Sequence, residues 1–351
     1  MKKMIKFPSI DQFRTVVTNI NRQFSFVGLN DDGVAIYDPS LDKPILKFTG
    51  SIKLHGTNVG VSFNTESGLW AQSRENIITT EEDNAGFAFF VESHTEQFMS
   101  LINDIKHRTG IDTTKNTISI YGEWCGVGIQ KGVGISNIPK SFFIFGVKIS
   151  PIVDNDEDLK NNPAYWVDHT YLKCKESNIY NINDFETYEI EIDFNVPQLS
   201  QNKLSEITDV VEKECPVAKE FGFNGIGEGV VWCCEYKGVR YLFKVKGEKH
   251  ANGSKPKTLK KVDDEKIRLL LDIADKVTPI WRLEQMLNQA CDIINGGQID
   301  RSKLGNYIRM VINDVVKEDS DIISDAGLEP KDINKYVSEI AKKYFFEQEL
   351  V

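Results

Sequence analysis

Residues 44–64 read PILKFTGSIKLHGTNVGVSFN. Two runs in it, PILKFTGSIKLHG and NVGVSFN, are rich in β-branched and aromatic residues and flank a glycine. They are expected as two β-strands around a turn at Gly56. GLWAQSR (68–74) extends the pattern as a third strand. TISIYGEW (117–124) and SFFIFGVKI (141–149) add two more. EGVVWCCEYKGVRYLFKVKG (228–247) reads as a hairpin turning at Lys237-Gly238.

Helical periodicity appears between these strands. Ser9–Ile20 is expected as a short amphipathic helix capped by Ser9 or Asp11. Ser93–His107 carries Phe98, Leu101, Ile102 and Ile105 at helical spacing, and Ser200–Glu214 reads as a helix that stops before Pro216. The stretch 151–162 is acidic and Asn-rich, a loop by composition. The character changes after Gly247. GEKHANGSKPKT (247–258) is polar with Gly and Pro, a linker. Beyond it every periodic run is helical: Asp263–Lys276, Ile280–Ile294, Ser302–Lys317 and Pro330–Phe346, with Asp300 or Ser302 and Glu329-Pro330 as helix starts. The expected organisation is a large domain of mixed helices and strands over 1–250, a basic linker over 251–261, and a small all-helical domain over 262–351.

At 351 residues the chain accommodates two domains. No apolar run approaches the roughly 20 residues that span a bilayer. MKKMIKFPSIDQF carries charge without an apolar stretch behind it, so neither a membrane anchor nor a secretory signal is expected. The six cysteines, Cys125, Cys174, Cys215, Cys233, Cys234 and Cys291, offer no CxxC spacing, and reduced thiols in the cytoplasm are expected. His94, His107, His169 and His250 show no metal spacing and read as incidental. The net charge of -10 alone argues against nucleic acid, since phosphate affinity comes from Lys and Arg. Its distribution reverses that argument locally: between Lys237 and Lys261 nine basic residues stand against one acid, Glu248, a balance of +8. From Val262 onward 18 acids outnumber 12 Lys and Arg, so the linker is a better phosphate clamp than the helices.

The chemistry centres on Lys53 in KLHGTN (53–58). A lysine amine attacks only when deprotonated, and burial or neighbouring cations favour that form. Lys244 and Lys246 alternate around Val245, so both face one side of a strand. They supply positive charge for a triphosphate beside the nucleophile. Phosphoryl transfer needs charge neutralisation and in-line positioning more than proton shuttling. Mg²⁺ is held by one or two carboxylates plus waters, and Glu123 in YGEWCG and Glu228 in GIGEGVVW are the candidates, directly or through water.

A bare KxxG pattern occurs often by chance. Here it is followed in order by Arg74 in AQSREN, Glu123, Phe143 and Phe145, Glu228, and Lys244 with Lys246. That order resembles the covalent nucleotidyltransferase superfamily of ATP-dependent ligases and RNA capping enzymes. KLHGTN together with YGEWCG is similar to the RNA ligase 2 family of phages and editing ligases, over roughly Ile45 to Lys249. The resemblance implies an α+β fold, ATP-grasp-like antiparallel sheets with helices, plus the helical C-terminal domain. It implies Lys53 as the residue that carries AMP, and ATP with Mg²⁺ or Mn²⁺ as cofactors. It puts Glu123 on the ribose and Phe145, or else Phe143, against adenine. Glu228 would organise the metal, with Lys244 and Lys246 on phosphates. Arg74 would touch AMP or the RNA end, and His55 and Asn58 would serve the later transfer steps. The substrate it implies is RNA, as a nicked duplex or an RNA-containing hybrid, sealed by a monomer in the cytoplasm, or in host cytoplasm for a viral chain. The chain departs from the family pattern at Gly146, where an Asp is usual, and at Ile52, where an acid is usual. A DNA ligase or capping-type guanylyltransferase is the alternative enzyme, usually continuing into a five-stranded OB-fold barrel. A non-catalytic RNA-binding protein on a ligase scaffold is the other alternative.

Overall fold

The computed structural model describes residues 2–29, 33–153, 160–250, 259 and 261–349. Most of the expected linker, including Lys255, Lys257 and Lys260, lies outside the described residues. The chain divides into two compact units, one of 1–13, 47–190 and 203–259, the other of 14–46, 191–202 and 260–351. Segments 14–46 and 191–202 thus belong with the C-terminal helices.

The N-terminal helix starts later than its periodicity suggests. Asp11–Gln12 form strand β1, and helix α1 runs over Phe13–Ser25. The backbone of Asp11 and Gln12 is taken up by the sheet, pairing in parallel with Phe243 and Lys244. The helix then buries Phe13, Val16 and Ile20, spaced three and four apart. Strands β2 (Phe26–Leu29) and β3 (Ala35–Tyr37) pair as a small antiparallel ribbon.

The first unit is built on two sheets. Their strands are β4 (Ile45–Lys53), β5 (Thr57–Asn64), β6 (Gly68–Ser73), β7 (Ile77–Ile78), β8 (Asn116–Cys125), β9 (Ser141–Pro151), β10 (Tyr165–Val167), β11 (Ile179–Asn181), β12 (Thr187–Asp193), β13 (Gly229–Tyr236) and β14 (Val239–Lys246). One sheet has the order β1-β14-β13-β4-β12. The other has β10-β9-β8-β5-β6-β7, with β11 added in parallel along β9. The strands on both sides of Gly56 are therefore not a hairpin: β4 ends in one sheet and β5 begins in the other. Gly56 permits the crossing, since a Cβ there would stand 2.3 Å from the Trp124 carbonyl oxygen. The expected hairpin is present as β13 and β14, with Lys237 (φ 50°) and Gly238 (φ 76°) as a two-residue turn of type I′ sense.

Helices α2 (Phe87–Ser93) and α3 (Thr95–Thr109) break at His94, and Phe98, Leu101, Ile102 and Ile105 bury in the core of the larger sheet as their spacing requires. Under the smaller sheet, Phe48, Trp232 and Phe243 are fully buried. Helices α4 (Gln201–Lys213) and α5 (Pro216–Glu220) complete this unit.

The second unit ends in α6 (Asp264–Val277), α7 (Ile280–Cys291), α8 (Leu304–Glu318), α9 (Ser320–Asp325) and α10 (Pro330–Glu349). Asp263 caps α6 by accepting from the Lys266 N–H at 2.9 Å. Leu270, Leu287, Tyr307, Val311, Ile333 and Phe345 form its apolar centre. Arg282 is buried within it, 2.8 Å from Asp314 and paired also with Asp319, so the guanidinium is neutralised where it is enclosed. The architecture is α+β with a helical C-terminal part. Among the described residues no helix is long and apolar enough to cross a membrane.

Candidate active site

Strand register assembles the site. Lys53 on β4 pairs with Gly229 on β13, and Gly229 pairs with Lys246 on β14, so one rung across three strands carries both lysines. Glu228 immediately precedes that rung and is 3% exposed. Its Oε2 lies 2.7 Å from Lys53 Nζ and 3.3 Å from His55 Nδ1, and its Oε1 lies 2.5 Å from Lys246 Nζ. Burial alone would push the Glu228 carboxyl up. The Lys53 and Lys246 ammoniums outweigh it and hold the group below the usual carboxylate range.

The geometry at Gly229 demands glycine. Its φ is 145°, and a Cβ would meet the Val245 carbonyl oxygen at 2.1 Å. Gly229→Ala is expected to cost more than about 2 kcal/mol in urea unfolding, by forcing β13 from β14 beside Glu228. Unchanged stability in that variant would mean the close approach is not present in solution.

The second wall comes from the larger sheet. Asn58 on β5 pairs with Glu123 on β8, which pairs with Phe143 on β9. Glu123 Oε1 accepts from the Gly56 N–H at 2.9 Å, tying this wall to the crossover from Lys53. Burial pushes the Glu123 carboxyl up to about 7, against the pull of Lys53 and of the Gly56 N–H, with Glu228 adding repulsion. A raised carboxyl pKa stabilises the fold while the proton is held, and that contribution is lost as pH climbs through about 7. Glu123→Gln has no such proton. Relative to the parent its stability should therefore rise between roughly pH 5 and roughly pH 8, by on the order of 1–3 kcal/mol. Parallel pH profiles of the two proteins in urea unfolding would rule this out.

Between the walls lies a cavity of about 620 Å³, lined by Lys53, Asn58, Glu123 and Phe145 among others. The two candidate aromatics differ. Phe143 is fully buried and stacks on Tyr180 with ring centres 5.3 Å apart, in a cluster with Phe185 and Phe221. Phe145 falls where the β8–β9 register shifts, is only half-buried, and packs edge-on to Phe7 at 5.0 Å. Lys244 lies two residues back from Lys246 on the same face. Burial lowers its pKa, and the neighbouring charges of Lys53, Lys246 and Arg74 lower it further. Arg74 lines a separate cleft with Thr57, Ser73 and Asn84 rather than the cavity.

Several residues at this site carry no motif. Arg240 sits over the Trp166 ring at 4.3 Å, donates from Nε to Cys233 Sγ at 3.3 Å, and lines the cavity. Alternation back along β14 from Lys246 would have put it on that face. His169, beside it, is pushed down to about 4 by burial and by the Arg240 charge. Phe7 comes from the N-terminal segment and has no periodic signal. His250 brings its ring to 5.7 Å from that of His55.

Among the described residues no three His, Cys, Asp or Glu side chains converge as a metal cage. The donors present are the Glu228 and Glu123 carboxylates, one on each side of Lys53. That set fits a hard cation that arrives with a nucleotide's phosphates and keeps much of its water.

A family model described as RNA ligase matches residues 47–246. No curated protein matches the chain. Among solved structures the chain is similar to the Naegleria gruberi RNA ligase with PPi, at 11% identity and a TM-score of 0.39. It is also similar to an apo mutant of that ligase at 12% identity and a TM-score of 0.42, and to a mutant with AMP and Mn at 11% and 0.39. Each alignment covers 70% of this chain and 57% of the Naegleria chain, so this chain spans little more than half the length of those relatives.

Proposed function

The chain belongs to the RNA ligase family, and we propose that it is an ATP-dependent ligase that joins a 3′-OH to a 5′-phosphate at nicks in duplex RNA or RNA-containing hybrids through a lysyl-AMP intermediate on Lys53. The observation that carries this reading is the Lys53 amine at the cavity wall, 2.7 Å from a buried carboxylate that Lys246 shares.

Lys53 gives up its ammonium proton to solvent, and the free amine attacks the α-phosphorus of ATP. A P–N bond forms, the bond to the β-phosphate oxygen breaks, and pyrophosphate leaves with its electron pair. The RNA 5′-phosphate oxygen then displaces Lys53 from AMP, and the 3′-OH finally attacks that 5′-phosphorus and expels AMP. Lys244 and Lys246 neutralise the phosphates, Phe145 stacks on adenine, and Glu123 accepts from the ribose. His55 and Asn58 serve the two RNA steps, and Arg74 touches the RNA end from its own cleft. Glu228, and Glu123 directly or through water, would hold a divalent cation, Mg²⁺ or Mn²⁺, which when bound would supply charge neutralisation for the phosphates. The organisation we propose for this work is a nucleotidyltransferase domain over 1–250, the basic linker, and the helices of 262–351 engaging the RNA, in a cytoplasmic monomer.

The alternatives gain nothing specific. The described residues beyond Gly247 are helical, not the strands of an OB-fold barrel. An inert scaffold has no reason to hold a lysine on a buried glutamate. The test is incubation with ATP and Mg²⁺, which should add one covalent AMP by intact mass, followed by sealing of nicked duplexes with each strand as RNA or DNA. Sealing of all-DNA nicks alone would reassign the substrate.

A further inference from the structure

After β14 the chain folds back onto the site. The Gly247 N–H donates to the Glu228 carbonyl oxygen at 3.1 Å. A Cβ at Gly247 would stand 2.1 Å from Glu212 Oε1, so a larger residue there would have to displace the Glu212 side chain. The same Glu212 oxygen accepts from the Lys249 N–H at 2.8 Å, and the His250 N–H donates to the Gly247 carbonyl at 3.2 Å. These bonds fix a short turn over Glu248–His250 that delivers the His250 ring to His55, whose Nδ1 is on Glu228.

What the turn delivers is an unmatched group. His250 Nε2 is sealed from solvent and has no hydrogen-bond partner among the described residues. An enclosed ring nitrogen left so is costly, and a site that fixes one there gains only when something arrives to meet it. The charges around it are Glu228, Glu212, Lys246 and His55. Both oxygens of Glu228 are already held by ammoniums, and the Oε1 of Glu212 by the Lys249 N–H. The ligand chemistry that suits a ring N–H near the Lys246 ammonium is a phosphoryl oxygen.

We propose that His250 is a further phosphate-contacting residue, whose Nε2 donates to a phosphoryl oxygen, either of the nucleotide's β- and γ-phosphates or of the RNA 5′-phosphate. The proposal rests on the reading of Lys53 as the AMP carrier. Three variants of the full chain test it. In His250→Gln the amide nitrogen reaches the place of Nε2. In His250→Asn it reaches only that of Nδ1, and His250→Ala has neither. Each is assayed for self-adenylylation against ATP concentration and, separately, for sealing of a nick whose 5′-end already carries AMP. The expected result is a loss of about tenfold or more for Ala and Asn in one of the two assays, largely restored by Gln. A loss in the KM for ATP identifies the nucleotide phosphates as the ligand. A loss confined to pre-adenylylated nicks identifies the RNA 5′-phosphate. No loss, a loss that Gln shares, or Asn performing as well as Gln overturns the proposal. A parent protein that takes no AMP would instead overturn the reading of Lys53.

Discussion

Lys53→Ala is expected to remove the covalent AMP label entirely, while the protein still folds. The fold survives because Glu228 keeps a partner on each oxygen, Lys246 at 2.5 Å on Oε1 and His55 at 3.3 Å on Oε2. The label should be lost because, among the described residues, no other amine stands in the same place. Lys246 is a rung partner across two strands and is itself engaged with Glu228. Lys244 lies two residues further along β14. A second variant separates charge from nucleophilicity. Lys53→Arg keeps a cation for Glu228, but a guanidinium stays protonated and does not attack phosphorus. Both variants should therefore be unlabelled by intact mass, with Arg retaining more of the parent's stability in urea. Both should also seal a nick whose 5′-end already carries AMP, since that step needs no lysyl-AMP. Full labelling of Lys53→Ala would move the nucleophile elsewhere and end the assignment. Failure of both variants on pre-adenylylated nicks would give Lys53 a further part in the last step.

The features legible in the sequence are those fixed over short distances. Lys244 and Lys246 share a face because a strand alternates, and the hairpin turns at Lys237-Gly238 because both residues take positive φ there. The C-terminal helices declare themselves by apolar spacing, to within a few residues at their ends. The features that were not legible depend on distant partners. Asp11 and Gln12 look helical until β14 claims their backbone. Nothing in KLHGTN says that its two strands enter different sheets, yet that crossing is what sets Lys53 opposite Glu123. Arg74 ends its strand at the expected point, but its side chain points to another cleft. His250 reads as incidental because a three-residue turn, tied by Gly247 and Glu212, decides where its ring goes.

Glu228→Gln should separate binding from transfer. The substitution preserves shape but removes one negative charge from among Lys53, Lys246 and His55, and its amide nitrogen must then face an ammonium. Breaking a buried, paired carboxylate in this way should lower stability by roughly 2–4 kcal/mol. The cavity becomes more positive by one charge, so a triphosphate should bind at least as tightly as in the parent. Transfer should nevertheless slow by about 100-fold or more if, as proposed, this carboxylate would hold a cation beside the phosphates. Nucleotide affinity by equilibrium dialysis and label formation by rapid quench distinguish the two effects. If affinity and rate fell by the same factor, Glu228 would be acting in binding alone. The same exchange at Glu123 supplies the contrast. Burial pushes that carboxyl up to about 7, which favours its protonated form near neutral pH, and an amide imitates that form. Glu123→Gln should therefore leave the rate of transfer within about tenfold and act mainly on the KM for ATP. Two carboxylates beside one lysine would then differ in effect because one is held ionised by two ammoniums and the other is pushed toward neutrality by burial.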